Sequence, residues 1–578
     1  MSKHSNPISS LPNQSSSDRK LDNEQRRSFL GGALRTVSAL PLLAKSLPSF
    51  ANGKNSAGGH YDFIVLGAGS AGCVVTRRLI DAGHRVLLLE AGPKDTSPAI
   101  HIPSEVGTLY GSNVDWAFTT APQTSADGQS IFWPRGKVEG GSSAINGMIW
   151  CRGQPQDYDA WAQGGATDWG YRNIEPYFRK IEHFNLPDPQ SVHGHHGLMQ
   201  IGRPQFTPLT RDFVQAAIEA GFDFRRDYND GTDSTGISES QMTMFPNNMR
   251  ASAWTCYVEP VMNHPNLTVI VNALIDRIEI AHGHAQGVRF MHRGETLTAR
   301  ADREVLCACG SIMSPAVLMR SGIGPAKDLA ALGIKTVADL PGVGENLHDH
   351  ATSPMLWSTS LANTPSVTTG QEANIFMRSL PELDACDVQF LLSTNTFPIP
   401  GFPTVTQGFV GLPSCLTVRS RGRVSLVSAD PAIYPLIDPR VYSHPHDIDV
   451  VVRASKAVRN VIGQASLSSW GITEVAPGNS VQTDAEWLAF ARKAANTGYH
   501  QVGTCKMGVD DMAVVDPELK VRGVTGLRVV DASVMPQATR GNTNAPTLMI
   551  AEKAADMILG RSREERGQSH DERGHAHA

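Results

Sequence analysis

What the sequence lacks removes several functions at once. The 578 residues contain no CxxCH, so no c-type haem is attached to the chain. Eight cysteines form no paired CxxC sites, which argues against structural zinc, and Cys307 and Cys309 in an apolar run read as buried free thiols. Neither charge sign is in excess: 51 basic residues stand against 56 acidic ones. A net charge of -5 gives no reason to expect nucleic acid or an anionic membrane surface as partner. No apolar run approaches the ~20 residues of a spanning helix. What is present is ordinary for a globular protein, 40% hydrophobic and 19% charged, in a chain long enough for two or three domains.

The two ends differ from the rest. Residues 1–59 are read as a disordered N-terminus carrying a signal. A polar, Ser/Asn-rich stretch leads to the pair Arg26-Arg27, a weakly apolar segment, and Ser49-Phe50-Ala51 as a small-residue cleavage site. This pattern predicts twin-arginine export to the periplasm. The alternative is a cytoplasmic protein with an amphipathic tail, which Arg35 inside the apolar segment favours. Residues 563–578 read as a polar, disordered tail.

The first chemical signal is "YDFIVLGAGSAGCVVTRRLIDAGHRVLLLEAG". Phe63–Leu66 reads as a buried strand, a helix follows through Leu79, and a second strand, Val86–Leu89, ends on Glu90. Between strand and helix lie Gly67, Gly69 and Gly72. These serve a tight turn, close approach of backbone to a pyrophosphate, and close helix–strand packing. Ser70 opens the helix, whose positive end faces the phosphates. Glu90, 18 residues beyond Gly72, stands where an acid bonds ribose hydroxyls. NAD enzymes and flavoproteins share this unit, so it does not choose between them.

Later segments do choose. They are "RGKVEGGSSAINGMIWCRG" from Arg135, "GSIMSPAVLMRSGIG" from Gly310, "PGVGENLHDH" from Pro341, "GYHQVGTCKMG" from Gly498 and "GLRVVDASVMPQATRGNTNAPTLMIAEKAADMI" from Gly526. In this order, and with the nucleotide turn, the chain resembles the glucose–methanol–choline (GMC) flavoprotein oxidoreductases from residue 61 to about 560, near bacterial alcohol and choline dehydrogenase-like members. The resemblance implies an α/β plus α+β fold: a Rossmann-like FAD-binding domain and a substrate domain on a large antiparallel sheet. The FAD-binding domain falls in residues 60–160, 251–350 and 481–562, the substrate domain in 161–250 and 351–480. Within this frame a helix is expected after Ser314-Pro315, helical periodicity over 444–463 and 484–497, strands at "DVQFLLST" and "GRVSLVS", and a final helix over Thr547–Leu559.

Carried over, the resemblance makes Arg135, Gly136, Val138, Gly141, Ser142, Asn146 and Met148 contacts of FAD. It sets Asp531 and Ala532 near the pyrophosphate and ribitol, with Thr543, Asn544 and Pro546 shaping the flavin side. Some relatives tether FAD through a histidine where this chain has Ile145, so the FAD is expected to be non-covalent. The implied reaction is oxidation of an alcohol, primary in the leading reading, to an aldehyde, with hydride passing to flavin N5. His500 is the implied base. Asn542 faces it as a hydrogen-bonding partner of the substrate oxygen. The electron acceptor is a quinone, a cytochrome or oxygen; oxygen would make the protein an oxidase forming peroxide. A hydroxynitrile lyase-like member and a non-catalytic flavin-binding protein stand as alternatives, and NAD dependence is disfavoured by the later motifs.

Other residues attract attention. "VGENLHDH" reads as a structural turn near the dinucleotide rather than a metal cluster, and "HGHH" at 193–196 as a solvated loop; no metal is expected. Trp357, Phe397, Phe402, Phe409 and Tyr499 could line an apolar route, with core packing the alternative. Glu139 is odd among glycines. Turned outward onto Arg135 or Lys137 it would avoid the cost of an isolated buried charge; turned inward it would oppose a reduced flavin.

Overall fold

The computed structural model describes residues 59–188 and 191–561. The arginine pair and the cleavage site lie outside them, as does the C-terminal tail. Strand His60–Leu66, helix Ser70–Asp81 and strand Val86–Leu89 form as the sequence predicts. Both strands are flanked in parallel: Val86–Leu89 by Leu267–Ile270, and His60–Leu66 by the end of the long strand Glu295–Cys307. Leu527–Val529 joins Cys307 from the far end of the chain. Two antiparallel strands, Ala273–Ala281 and His284–His292, complete this seven-stranded sheet through the first half of Glu295–Cys307. The paired cores of the central strands are apolar, "FIVL" at 63–66 and "VLLL" at 86–89, because packed side chains cover both faces.

The second sheet has eight strands, and all its pairings are antiparallel. Its order runs Thr473–Ala476, Met355–Ser358, Gly408–Cys415, Val388–Ser393, Ala373–Met377, Gly236–Glu239. Its short strand Ala351–Thr352 pairs with Asn496–Thr497, which lays the segment before Ala351 beside the segment after Thr497. Among the described residues no helix is long and apolar enough to cross a membrane.

Several expectations need correction. The helix expected after Ser314-Pro315 is Gly310–Arg320, with Pro315 inside it. Proline has no N–H for the Ser311 carbonyl four residues back; the Thr504 hydroxyl donates to that carbonyl instead, at 2.6 Å. The expected 484–497 helix stops at Lys493 because Asn496–Thr497 is taken by the second sheet. The last helix starts earlier, at Asn544. Arg423–Ser425 is a strand, but in a separate two-stranded sheet with Leu436–Asp438. Trp357 and Phe409 stack at 5.1 Å within the core, and Phe402 packs edge-on to Phe490, so these three line no route.

The "HGHH" loop is not solvated at its first histidine. His193 is 2% exposed, stacks on Phe184 at 3.7 Å, and bridges Glu182 (3.0 Å) and Asp227 (2.6 Å). Arg152 pairs with the same Glu182. Arg152 and His193 hold the Glu182 carboxyl at about 2, despite the opposing effect of burial. Glu182→Ala strands the Arg152 charge in the interior. It is expected to cost about 3–5 kcal/mol, read as a lowered denaturation midpoint of the holoprotein; Glu182→Gln should lose less.

Candidate active site

The carboxyl ends of the parallel strands open into a cavity of about 890 Å³. Gly67 and Gly69 line it after the first strand, Glu90 after the second, Ala308 to Ser311 after the third, and Asp531 with Ala532 after the last. Three helices point their N-termini at it: Ser70–Asp81, Gly310–Arg320 and Asn544–Ile558. None has a side-chain cap at its N-cap residue. The N–H groups at Ser70 and Asn544 are therefore offered to the cavity. Such a convergence of helix N-termini suits an anion such as a pyrophosphate. Ser70 donates to Asn544 across 2.7 Å and ties two of these helices together.

The glycines of the second stretch serve the protein backbone as much as a ligand. A Cβ on Gly141 would lie 2.6 Å from the Gly69 Cα, so the two glycine turns rest backbone on backbone. Gly140 N–H donates to Ala68 O at 2.8 Å and fixes that contact. Arg135, Gly136, Gly141, Ser142, Asn146, Met148 and Thr543 line the cavity, as do Ile145 and Asn544. Two proposed cofactor contacts do not. Val138 is buried in an apolar cluster with Ile100, Leu109 and Val114, and Gly72 lies against Gly67, where a Cβ would meet the Gly67 carbonyl at 1.9 Å. Glu90 faces the cavity while accepting from the backbone N–H of Ala68 (2.9 Å) and Gly92 (2.8 Å). Burial raises its carboxyl to about 7.

Glu139 fits neither sequence expectation. It is 3% exposed, so it does not turn outward, and it does not line the cavity. Its carboxylate accepts from Asp95 N–H at 2.9 Å. Arg135 instead donates to the carbonyls of Pro134 and Tyr499, and the Lys137 ammonium sits 4.8 Å over the Trp116 ring. Burial raises the Glu139 carboxyl above its usual range, against the pull of Lys94.

At the other end of the cavity the two sheets meet. The pairing of Ala351–Thr352 with Asn496–Thr497 brings His350 to His500, their Nδ1 atoms 2.9 Å apart. Asp349 pins the loop by accepting from His500 N–H at 2.7 Å and from the Thr497 hydroxyl. On its other side, His500 Nε2 accepts from the Asn542 amide at 3.0 Å, and Asn542 Oδ1 accepts from Gln389 at 3.0 Å. Burial, then His350, then Arg135 push His500 well below 6.5, and burial takes His350 down to about 4. Both rings are therefore neutral at pH 7, and an unprotonated Nε2 beside an amide N–H can accept a proton from a bound hydroxyl.

His350, Asp349 and Gln389 were missed as site residues. The first two stand in "NLHDH", read as a turn. That reading holds for His348, which bonds Asn346 O and Ala538 N–H, but not for His350. Gln389 carries no sequence signal. Cys415, His446 and Asp447 lie close enough to share an ion. Asp447 already accepts from Arg419 and Ser420 N–H, however, and His446 meets the Thr417 hydroxyl.

A nucleotide turn, a cavity roofed by a second glycine stretch and a neutral histidine at its far end together fit a dinucleotide-dependent oxidoreductase. Comparison with known proteins gives the narrower assignment. The GMC oxidoreductase N-terminal model matches residues 61–352 and its C-terminal model residues 418–551, and the chain belongs to this family. It is 38% identical to an alcohol dehydrogenase [acceptor] of Pseudomonas putida, over 86% of this chain and 96% of that protein. To the mitochondrial choline dehydrogenase of Mus musculus it is also 38% identical, over 86% and 89%. Among solved structures it is similar to pyridoxine 4-oxidase from Mesorbium loti, with TM-score 0.83 and 30% identity over 87% of this chain and 99% of that one. A fungal aryl-alcohol oxidase gives 0.75 and 25%, over 86% and 99%. The protein is an FAD-dependent oxidoreductase of CH–OH donors, on the α/β plus α+β fold of its family.

Removing the Glu139 acceptor leaves Asp95 N–H buried without a partner. Glu139→Leu should therefore lower stability by about 1–3 kcal/mol, measured on the holoprotein by denaturation, with Glu139→Gln restoring most of it.

Proposed function

We propose that the protein oxidises an uncharged primary alcohol to the aldehyde, with His500 as base and Asn542 as the holder of the substrate oxygen. The observation that carries this is the 3.0 Å contact of His500 Nε2 with the Asn542 amide nitrogen at the end of the cavity, where burial favours the neutral ring. Gly67, Gly69, Arg135, Gly141 and Ser142 of the cavity wall would hold FAD, which when bound would supply the hydride acceptor, flavin N5. The substrate hydroxyl replaces the direct bond between His500 and Asn542, donating to His500 Nε2 and accepting from Asn542 Nδ2. Nε2 takes the hydroxyl proton, the C–H pair leaves the carbinol carbon as hydride, and the carbonyl forms. The Asn542 N–H holds the oxygen as negative charge builds on it. Arg135, a buried guanidinium in the same wall, favours that charge further.

The charge of the wall supports an uncharged substrate over choline, although relatives of both kinds are equally similar. Its carboxylates are Glu90 and Asp531, both at the nucleotide end and both engaged by backbone N–H groups. The rest of the cavity wall includes neutral residues such as Met148, Leu391, Leu412, Phe397, Ser393 and Ser414 and no further carboxylate. A quaternary ammonium would lose its hydration there and find Arg135 rather than an acid.

Flavin reduction, its pH dependence, substrate preference, cofactor release and acceptor use test this reading. In anaerobic flavin reduction at saturating alcohol, His500→Ala should slow the step by about 10²–10⁴-fold and Asn542→Ala by less. Unchanged reduction in His500→Ala would remove the base. The parent rate should be level above pH 7 and fall only on acidification below the usual histidine range, because His500 titrates low. Between isosteres, 3,3-dimethylbutan-1-ol should reduce the flavin with a kcat/KM at least about tenfold above that of choline, and the reverse order would reject the uncharged class. Acid precipitation should release the yellow colour, since Ile145 stands where a tether would form; colour kept on the polypeptide refutes non-covalent binding. Peroxide formed in step with aldehyde would identify oxygen as acceptor, and aldehyde formed only with an added quinone or cytochrome would identify a dehydrogenase.

A further inference from the structure

We infer that Gln389 sets the direction of the Asn542 amide, and so decides which of its atoms the substrate meets. The inference rests on the reading that the hydroxyl binds between His500 and Asn542. Strand Val388–Ser393 alternates: Val388, Phe390 and Leu392 enter the core behind the sheet, while Leu391 and Ser393 face the cavity. Gln389 shares the cavity side and is 1% exposed.

A primary amide has nearly the same shape when turned by 180°, but the opposite polarity. Among the described residues the Asn542 side chain has two partners. Gln389 Nε2 donates to its Oδ1 at 3.0 Å, and its Nδ2 donates to His500 Nε2 at 3.0 Å. Turned over, Oδ1 would face His500. Nε2 would then have to carry a proton to make that bond, and could not take one from an alcohol. The donor that holds Oδ1 away from His500 is the Gln389 amide. In the structure the polarity runs one way: Gln389 to Asn542, Asn542 to His500, and, with Nε2 accepting, His500 Nδ1–H to His350 Nδ1. Gln389 touches no reacting atom in this arrangement; it is a positioning residue.

The test reverses the polarity. In Gln389→Glu the introduced carboxyl donates to Oδ1 while protonated, but once ionised it can only accept. Asn542 then turns its N–H toward the carboxylate and its oxygen toward His500. Flavin reduction by a saturating alcohol should fall by about 100-fold at high pH and recover as the pH drops, until His500 itself is protonated. Gln389→Met, which frees the amide without inverting it, should lose about 3–10-fold with the parent pH profile, and it serves if Gln389→Glu does not hold flavin. In an Asn542→Ala background Gln389→Glu should add less than about twofold, because the amide it acts through is gone. Imidazole ¹⁵N NMR of the holoprotein, assigned by the signal lost in His500→Gln, should read Nε2 as unprotonated in the parent and protonated in Gln389→Glu at high pH. An unprotonated Nε2 in that variant, or an undiminished effect in the Asn542→Ala background, overturns the role of Gln389. Fast reduction in His500→Ala would instead overturn the base assignment, so the two failures are told apart.

Discussion

The contact on which the site depends is that of two glycine turns, Gly69 on Gly141, closer than a side chain on Gly141 would allow. One turn ends the first strand of the parallel sheet. The other begins the stretch that roofs the cavity. Their contact fixes the roof relative to the carboxyl edge of the sheet without a side chain intervening. Everything beyond it on the roof, Ser142 through Met148, takes its place from that contact. Arg250 reinforces it with donations to the carbonyls of Ser143 and Asn146. The glycines are thus explained first by protein against protein and only then by protein against cofactor.

A second constraint acts at the far end. His350 and Gln389 are buried, and His500 and Asn542 stand part-buried between them and the cavity. In that setting a charged imidazole is costly and a neutral one is stable, so burial itself prepares the base. Arg135 adds to this from the cavity wall. The same guanidinium that discourages a proton on His500 favours negative charge on a substrate oxygen. The carboxylates are kept elsewhere: Asp349 is spent on the backbone of His500, and Glu90 and Asp531 on the backbone at the nucleotide end.

Much of this was legible in the chain. The nucleotide unit could be read because strand, glycines, helix and acid are contiguous, and local periodicity reports them directly. His500 and Asn542 were legible through motifs resembling a family. Gln389 was not, since its meaning comes from facing Asn542 across 153 positions on a strand that otherwise looks like core. His350 was hidden by its neighbours: in "NLHDH" one histidine is structural and the other is not, and only the pairing of Ala351 with Thr497 separates them. Glu139 was misjudged because an isolated buried charge is costly, and a single backbone N–H from Asp95 was enough to hold it. The loop at His193 failed for the opposite reason. Polar composition suggested solvent, whereas three charged partners built a buried network.

The order of strands in the parallel sheet bears on how the protein is made. Residues near 65, 305 and 528 lie side by side in it, so the last of them leaves the ribosome long after the other two. Contacts of such long range are slow to form and costly in loop closure. Until Leu527–Val529 docks, the edge of Cys307 is open, and the chain that brings Asn544 to its partner Ser70 is not in place. A nascent chain stalled before residue 527 would therefore carry the whole nucleotide motif without Asp531, Ala532, Asn542 and Asn544, which complete the cavity wall.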